Sequence, residues 1–317
     1  MNNPDLAVRI GALRLENPVM PASGTFAEGL AQALDINRLG ALVTKTITRE
    51  LRLGNPLPRV AETPQGLLNA IGIPSQGVPH FLAHTLPFYA GFRPPLVVSI
   101  SAPTVEGFAD LARAVAVPGV AAIEANISCP NLEEDGRAFA LSTASTAAAT
   151  RALRAATALP LWVKLSPNAS DIAAVARAAE AAGADALVVA NTILGMAIDV
   201  TTFRPRLGNI TGGLSGPAIR PIVLRQVWQC ARAVRIPVIG CGGIARAEDA
   251  VEYLLAGARA VQVGTATFLR PTAMTDIIDG LAAFCAGRGI ARLADLTGAL
   301  RHEEADEPDL AWLEGPA

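Results

Sequence analysis

Two positions stand apart by residue type. Among the 26 Lys plus Arg, only Lys45 and Lys164 are lysine. Each closes an apolar run: Ala-Leu-Val-Thr-Lys-Thr around the first, Leu-Trp-Val-Lys-Leu-Ser-Pro-Asn around the second. An ammonium on a flexible stem is a compact point charge that a planar guanidinium does not replace. Lysines that had merely persisted would scatter over the surface. The same context twice points instead to chemistry beside a ring or an anion.

Cys129 lies in Glu-Ala-Asn-Ile-Ser-Cys-Pro-Asn (124–131), after a strand-like run and before a proline, which places it on a loop. An accessible thiol, with an ordinary pKa of about 8.5, serves as a base or nucleophile where its surroundings help. Cys230, Cys241 and Cys285 have no such context and read as buried, reduced thiols. The four cysteines form no C-x-x-C pair, so neither a disulfide framework nor a zinc or iron–sulfur pattern is present. His80 and His84 are spaced i, i+4 without a third ligand and read as a helix-surface pair; His302 falls in the tail. No histidine is placed as a general base, which favours Cys129 as the base or nucleophile. Asn69, Asn126, Asn131 and Asn191 add neutral amides, which both donate and accept and suit a planar ligand with imide groups.

Glycines gather at two strand ends, Gly-Cys-Gly-Gly (240–243) and Val-Gly-Thr (263–265). Loops in these places commonly form a phosphate cup, with backbone N–H groups approaching closely and a helix N-terminus adding positive potential. Gly-Gly-Leu-Ser-Gly-Pro (212–217) is expected to supply further N–H donors.

The elements that must hold these residues alternate along the chain. Strands are predicted at 18–22, 41–46, 96–100, 120–126, 161–165, 186–191, 237–240 and 260–264. Helices are predicted at 105–116, 142–157, 171–182, 217–234 and 247–256, with Ser170 capping the third. Eight strands in βα order predict an α/β fold, one (β/α)8 TIM barrel, as a single domain over 1–317. The strand C-terminal ends then bring Ser23, Thr44-Lys45-Thr46, Ser99, Asn126, Lys164, Asn191-Thr192, Gly242-Gly243 and Gly264-Thr265 to one mouth. Two segments break the rhythm. Residues 5–16 read as a β-hairpin turning at Gly11-Ala12 and closing the barrel bottom, and the proline-rich 47–95 reads as an insertion after strand two, helical around 77–89. The acidic tail, 301–317, reads as loosely ordered.

Bulk properties narrow the function. Apolar residues make up 51% and the net charge is -2. No basic stripe suits nucleic acid, and no apolar run is long enough to cross a bilayer. The N-terminus lacks the charged and apolar regions of a signal peptide. A soluble, cytoplasmic protein is expected.

Asn-Ile-Ser-Cys-Pro-Asn, Val-Lys-Leu-Ser-Pro-Asn, Ala-Asn-Thr-Ile-Leu-Gly-Met-Ala-Ile-Asp, Gly-Gly-Leu-Ser-Gly-Pro-Ala-Ile and Ala-Val-Gln-Val-Gly-Thr-Ala carry a resemblance over nearly the whole chain. The chain resembles the class 1 dihydroorotate dehydrogenases, most closely their B type. The resemblance implies an FMN-bound barrel that oxidises dihydroorotate to orotate in pyrimidine biosynthesis. It makes Cys129 the general base that takes a proton from carbon 5, while hydride leaves carbon 6 for the flavin. It makes Lys45, Asn69, Asn126, Asn131, Asn191 and Thr192 substrate-binding. Ser23, Lys45, Thr46, Asn126, Lys164, Gly216, Gly242, Gly243, Gly264 and Thr265 become FMN-binding, with Lys164 near the flavin's pyrimidine end. No metal is implied. The resemblance further implies a homodimer and a separate subunit with FAD and a 2Fe–2S cluster, passing electrons to NAD rather than fumarate. One departure stands out: Ile73-Pro74-Ser75-Gln76 replaces the Leu-Gln-Asn-Pro usual in the B type. The alternatives are another FMN barrel acting on a dihydropyrimidine or dihydrouridine ring, and a flavin-holding barrel without activity.

Overall fold

The computed structural model describes residues 3–128 and 138–301. Eight parallel strands form one barrel sheet. They are β1 (Val19–Pro21), β2 (Leu42–Val43), β3 (Leu96–Ile100), β4 (Val120–Asn126), β5 (Leu161–Lys164), β6 (Ala186–Val189), β7 (Val238–Cys241) and β8 (Ala260–Val263). From β2 to β8 each strand pairs with the next in the chain, and β8 pairs back onto β1 with Val261 opposite Val19. A hydrogen bond of 2.8 Å from the Gly40 N–H to the Val19 carbonyl links β1 to the segment entering β2. The fold is therefore the (β/α)8 barrel that the alternating pattern predicts.

Helices Val105–Val115, Thr143–Ala156, Ile172–Ala181, Arg220–Ala233 and Ala247–Leu255 cover the sheet in the predicted order. Side-chain caps fix three starts: Thr104 accepts from Gly107 N–H at 3.0 Å, Ser142 from Ser145 at 3.2 Å, and Asp171 from Ala174 at 2.9 Å. The third cap corrects the expectation of Ser170. The carboxylate one residue later lies within reach of the orphan N–H and takes it. A further helix, Ala273–Gly287, follows β8 and packs against β1, where the sequence reading names none.

β2 is shorter than predicted. The Thr44 hydroxyl oxygen accepts the Ser99 N–H at 3.1 Å, so a side chain replaces the backbone ladder there, and pairing resumes only at the Ile47–Ile100 bridge. The N-terminal hairpin pairs Val8–Ile10 with Leu13–Leu15, and a side chain at Gly11 would touch Asp185, the residue before β6. The hairpin thus lies under the N-terminal strand ends, with Ile10 and Leu15 wholly buried.

The insertion contains the expected helical stretch, as Gly77–His80, a π turn at Phe81–Thr85 and Leu86–Tyr89. It also contains two strands that sequence reasoning missed. Val60–Thr63 and Gly66–Asn69 join Gly212–Ser215 and Ile193–Gly195 in a four-stranded antiparallel sheet. This roof carries its own small core of Ala61, Leu68, Ala70 and Leu207. The main core holds Trp162, Tyr253, Phe81, Phe108 and Phe139, with Phe108 edge-on to Phe139 at 5.7 Å. Each such side chain contributes about 1.5–3 kcal/mol by leaving water. Among the described residues, no helix is long and apolar enough to cross a membrane.

Candidate active site

The barrel mouth and the roof enclose a cavity of about 550 Å³, within the range of small-molecule sites. Of the residues predicted at the mouth or in the site, Ser23, Lys45, Thr46, Asn69, Asn126, Lys164, Asn191, Thr192, Gly216, Gly242, Gly243, Gly264 and Thr265 line it, whereas Thr44 and Ser99 are buried behind it. Cys129 and Asn131, and the tail from 302 onward, lie outside the described residues.

One wall is a closed amide and hydroxyl network. Asn126, at the end of β4, donates through Nδ2 to Thr46 Oγ1 at 3.2 Å, and Thr46 meets Ser99 Oγ at 3.0 Å. Asn126 Oδ1 accepts from Ser128 Oγ at 3.0 Å and from Asn191 Nδ2 at 3.3 Å. Asn191 Nδ2 also reaches Ser128 Oγ at 2.9 Å, while its Oδ1 takes the Thr192 N–H at 2.8 Å. These partners settle which end of each amide is oxygen and which is nitrogen. Asn69 belongs to the roof and donates to the Gly213 carbonyl at 3.0 Å. Asn168, which the sequence reading did not single out, supports the same wall by donating to the Thr192 carbonyl at 3.2 Å.

The lysines occupy different settings. Lys45 is half-buried, and burial, followed by the Arg59 guanidinium, pulls its pKa below the ordinary value. Lys164 is buried at the end of β5 and donates to Ser23 Oγ at 3.2 Å and Gln262 Oε1 at 3.3 Å. Burial pulls its pKa down, but Cys241 and Glu124 push it back, and the net direction is upward. Cys241 itself is pushed up, first by burial. Glu124 and Gln262 are site-supporting residues that sequence reasoning missed. The signal was present: each is a polar residue inside an apolar strand, Val-Ala-Ala-Ile-Glu-Ala-Asn and Ala-Val-Gln-Val.

Glycine-rich turns form the opposite end. Gly216 has φ 92° and ψ -176°, a conformation open only to glycine. It precedes the turn Pro217–Ile219 and the helix Arg220–Ala233. A Cβ at Gly243 would lie 2.8 Å from both Arg220 Cβ and the Gly216 carbonyl oxygen, so the loop after β7 packs directly on that helix start. Tyr253 anchors the loop by donating to the Gly242 carbonyl at 2.6 Å, and Thr265 Oγ1 donates to Ser215 Oγ at 2.8 Å. The segment 212–215 departs from expectation. It is a roof strand, and Gly213 is there because a Cβ would sit 1.9 Å from Thr192 Oγ1. Ile73 of the departing loop lines the cavity, and Ser75 pins that loop through paired backbone bonds with Arg52 of 2.8 and 2.9 Å. The His80 and His84 rings meet at a tilt of 41° away from this cavity, with ring centroids 4.7 Å apart.

A polar mouth on the C-terminal ends of parallel barrel strands, with an anion-suited end and a buried ammonium, defines an α/β-barrel enzyme. The sequence model of the family described as Dihydroorotate dehydrogenase matches residues 5–285, and the chain belongs to that family. Among curated relatives, the dihydroorotate dehydrogenase B (NAD(+)) catalytic subunit of Trichlorobacter lovleyi is 51% identical over 300 residues, covering 94% of this chain and 99% of the relative. The subunits of the same name from Desulforamulus reducens and Bacteroides fragilis are 50% and 46% identical, covering 93% of this chain and 98% and 99% of their own lengths. These relatives favour dihydroorotate oxidation over the dihydropyrimidine and dihydrouridine alternatives.

Proposed function

We propose that this chain is a single catalytic domain that oxidises dihydroorotate to orotate in pyrimidine biosynthesis, with FMN as its resident cofactor. The observation that carries the reading is Asn126. It lines the cavity, is locked by Asn191 and Ser128, and lies three residues before Cys129 in the family's own segment.

The residues present fit FMN on two counts. Gly216 and Gly243 bring bare backbone to the cavity wall beside a helix start, which suits a phosphate. Lys164 offers a buried ammonium to a ring that gains negative charge on reduction. Ser23, Lys45, Thr46, Asn126, Gly242, Gly264 and Thr265 complete the cofactor set. Bound FMN supplies the hydride acceptor that no side chain can replace.

The protein's own part is to hold the ring and move one proton. Lys45, Asn69, Asn126, Asn131, Asn191 and Thr192 bind the substrate's imide edge and carboxylate. The Cys129 thiolate takes the carbon 5 proton as hydride leaves carbon 6, so the substrate loses two electrons and two hydrogens and gains a carbon–carbon double bond. The relatives' printed name, a catalytic subunit of a B (NAD(+)) enzyme, supports a separate partner. We assign that partner FAD and a 2Fe–2S cluster, the catalytic chain a homodimeric state, and the assembly a cytoplasmic location. Anaerobic addition of dihydroorotate should bleach the flavin band. NAD should restore it only in the presence of the partner subunit.

A further inference from the structure

The polar cluster next to the cavity contains one charge that the proposed chemistry does not use. Glu124 lies in the middle of β4 with no exposed surface. Its Oε2 accepts from Gln262 Nε2 at 2.6 Å, and its Oε1 has no hydrogen-bond partner and lies 3.9 Å from Lys164 Nζ. Lys164 lines the cavity, whereas Glu124 and Gln262 do not. The carboxylate therefore stands behind the ammonium and cannot touch a ligand.

A fully buried carboxylate is costly unless an opposite charge is close, and the same holds for a buried ammonium. The groups that face Lys164 are few. Glu124 comes from β4, Cys241 from β7, Gln262 from β8, and Ser23 from the loop after β1; Lys45 lines the same cavity beyond β2. Burial holds the Cys241 thiol above its ordinary pKa, so its push on Lys164 as a charge comes only in alkali, where the thiol ionises, and at physiological pH it is neutral. Ser23 and Gln262 are neutral. Glu124 is the only negative charge in this set.

We propose that Glu124 is a positioning residue whose carboxylate, braced by Gln262, keeps Lys164 charged and oriented toward the cavity before any ligand arrives. This rests on the reading that the cavity binds FMN. Without Glu124, burial would strip the proton from Lys164, and the charge would return only when a reduced, negatively charged cofactor demanded it.

The chain's two lysines make the test direct. Carbon-13 labelling of lysine side chains gives two ε-carbon signals, and Lys164→Met assigns them by loss. In the wild-type protein the Lys164 signal should stay that of an ammonium from about pH 6 to about pH 10. In Glu124→Gln it should titrate inside that window, a fall in proton affinity of roughly 100-fold. A wild-type Lys164 that is neutral at pH 8, or a variant whose Lys164 stays charged throughout, overturns the proposal. If Glu124→Gln does not fold, the double variant with Lys164→Met decides. Recovery of a folded chain supports the pair, and continued unfolding overturns it. With FMN bound, wild-type reduction should take up one proton per two electrons. The variant should take up two above its new lysine pKa, and an unchanged ratio there counts against the idea. None of these readings uses dihydroorotate, so a failure of the proposed activity would remain distinguishable.

Discussion

Asn191 Nδ2, from the loop after β6, reaches Asn126 Oδ1 at the end of β4 across 3.3 Å. The two amides therefore form one unit, and Ser128 closes it with bonds of 2.9 and 3.0 Å. Asn191→Ala removes both donors and leaves Asn126 Oδ1 to Ser128 alone. A hydrogen bond lost at such a site costs about 1–3 kcal/mol. The expected result is a fall in kcat/KM for dihydroorotate of roughly 10- to 100-fold, with FMN content unchanged. Single-turnover flavin reduction measures it.

Cys129→Ala should abolish flavin reduction by dihydroorotate while the protein stays yellow. In the intact enzyme the reduction rate should climb as pH rises through the thiol's apparent pKa, because only the thiolate accepts the proton. A flat profile between about pH 6 and about pH 9 would remove the thiol from the mechanism.

Gly213→Ala tests the roof. The new methyl would have to displace the Thr192 hydroxyl, which lies 1.9 Å from its position. Overpacking of this kind costs about 1–3 kcal/mol. A higher KM for dihydroorotate and a lower Tm are expected together, with FMN affinity little changed. Gly216→Ala should reverse the pattern. Its φ of 92° strains any side chain, and the effect should fall on FMN retention, at about 1–3 kcal/mol or 5- to 150-fold in affinity.

Alkaline stability should report the buried thiols. Burial, followed by Asp171, pushes the Cys230 thiol up to about 12, and Cys241 is raised too. An unfolded thiol releases its proton near pH 8.5, while the folded ones keep theirs. The unfolded state then binds fewer protons, so stability is full below about pH 8.5 and declines as pH rises toward the folded values. Tm measured from pH 8 to 11 should fall, and Cys230→Ala should make the decline shallower. A variant with an identical slope would contradict this assignment.

Much of the barrel was legible because its strands are continuous apolar runs bounded by glycine or proline. Leu96–Ile100 and Val120–Asn126 fall where the sequence puts them. The roof was not legible for a physical reason. Gly212–Ser215 holds two glycines, has little strand propensity, and pairs with Leu67–Asn69 far back in the chain. Ala273–Gly287 was missed although its buried Ala273, Met274, Ile277, Ile278 and Leu281 follow helical spacing opposite the exposed Asp276 and Asp279. The site divides similarly. Strand-end residues such as Lys164 and Asn191 follow from periodicity alone. Glu124 does not, because its role depends on a lysine one strand away and a glutamine four strands away around the barrel.

The most direct measurement is anaerobic mixing of the purified, FMN-loaded protein with dihydroorotate while the visible flavin band is followed. The account predicts full bleaching with one orotate released per flavin. A chain that binds no FMN, or a loaded flavin that stays oxidised under excess dihydroorotate, would contradict it.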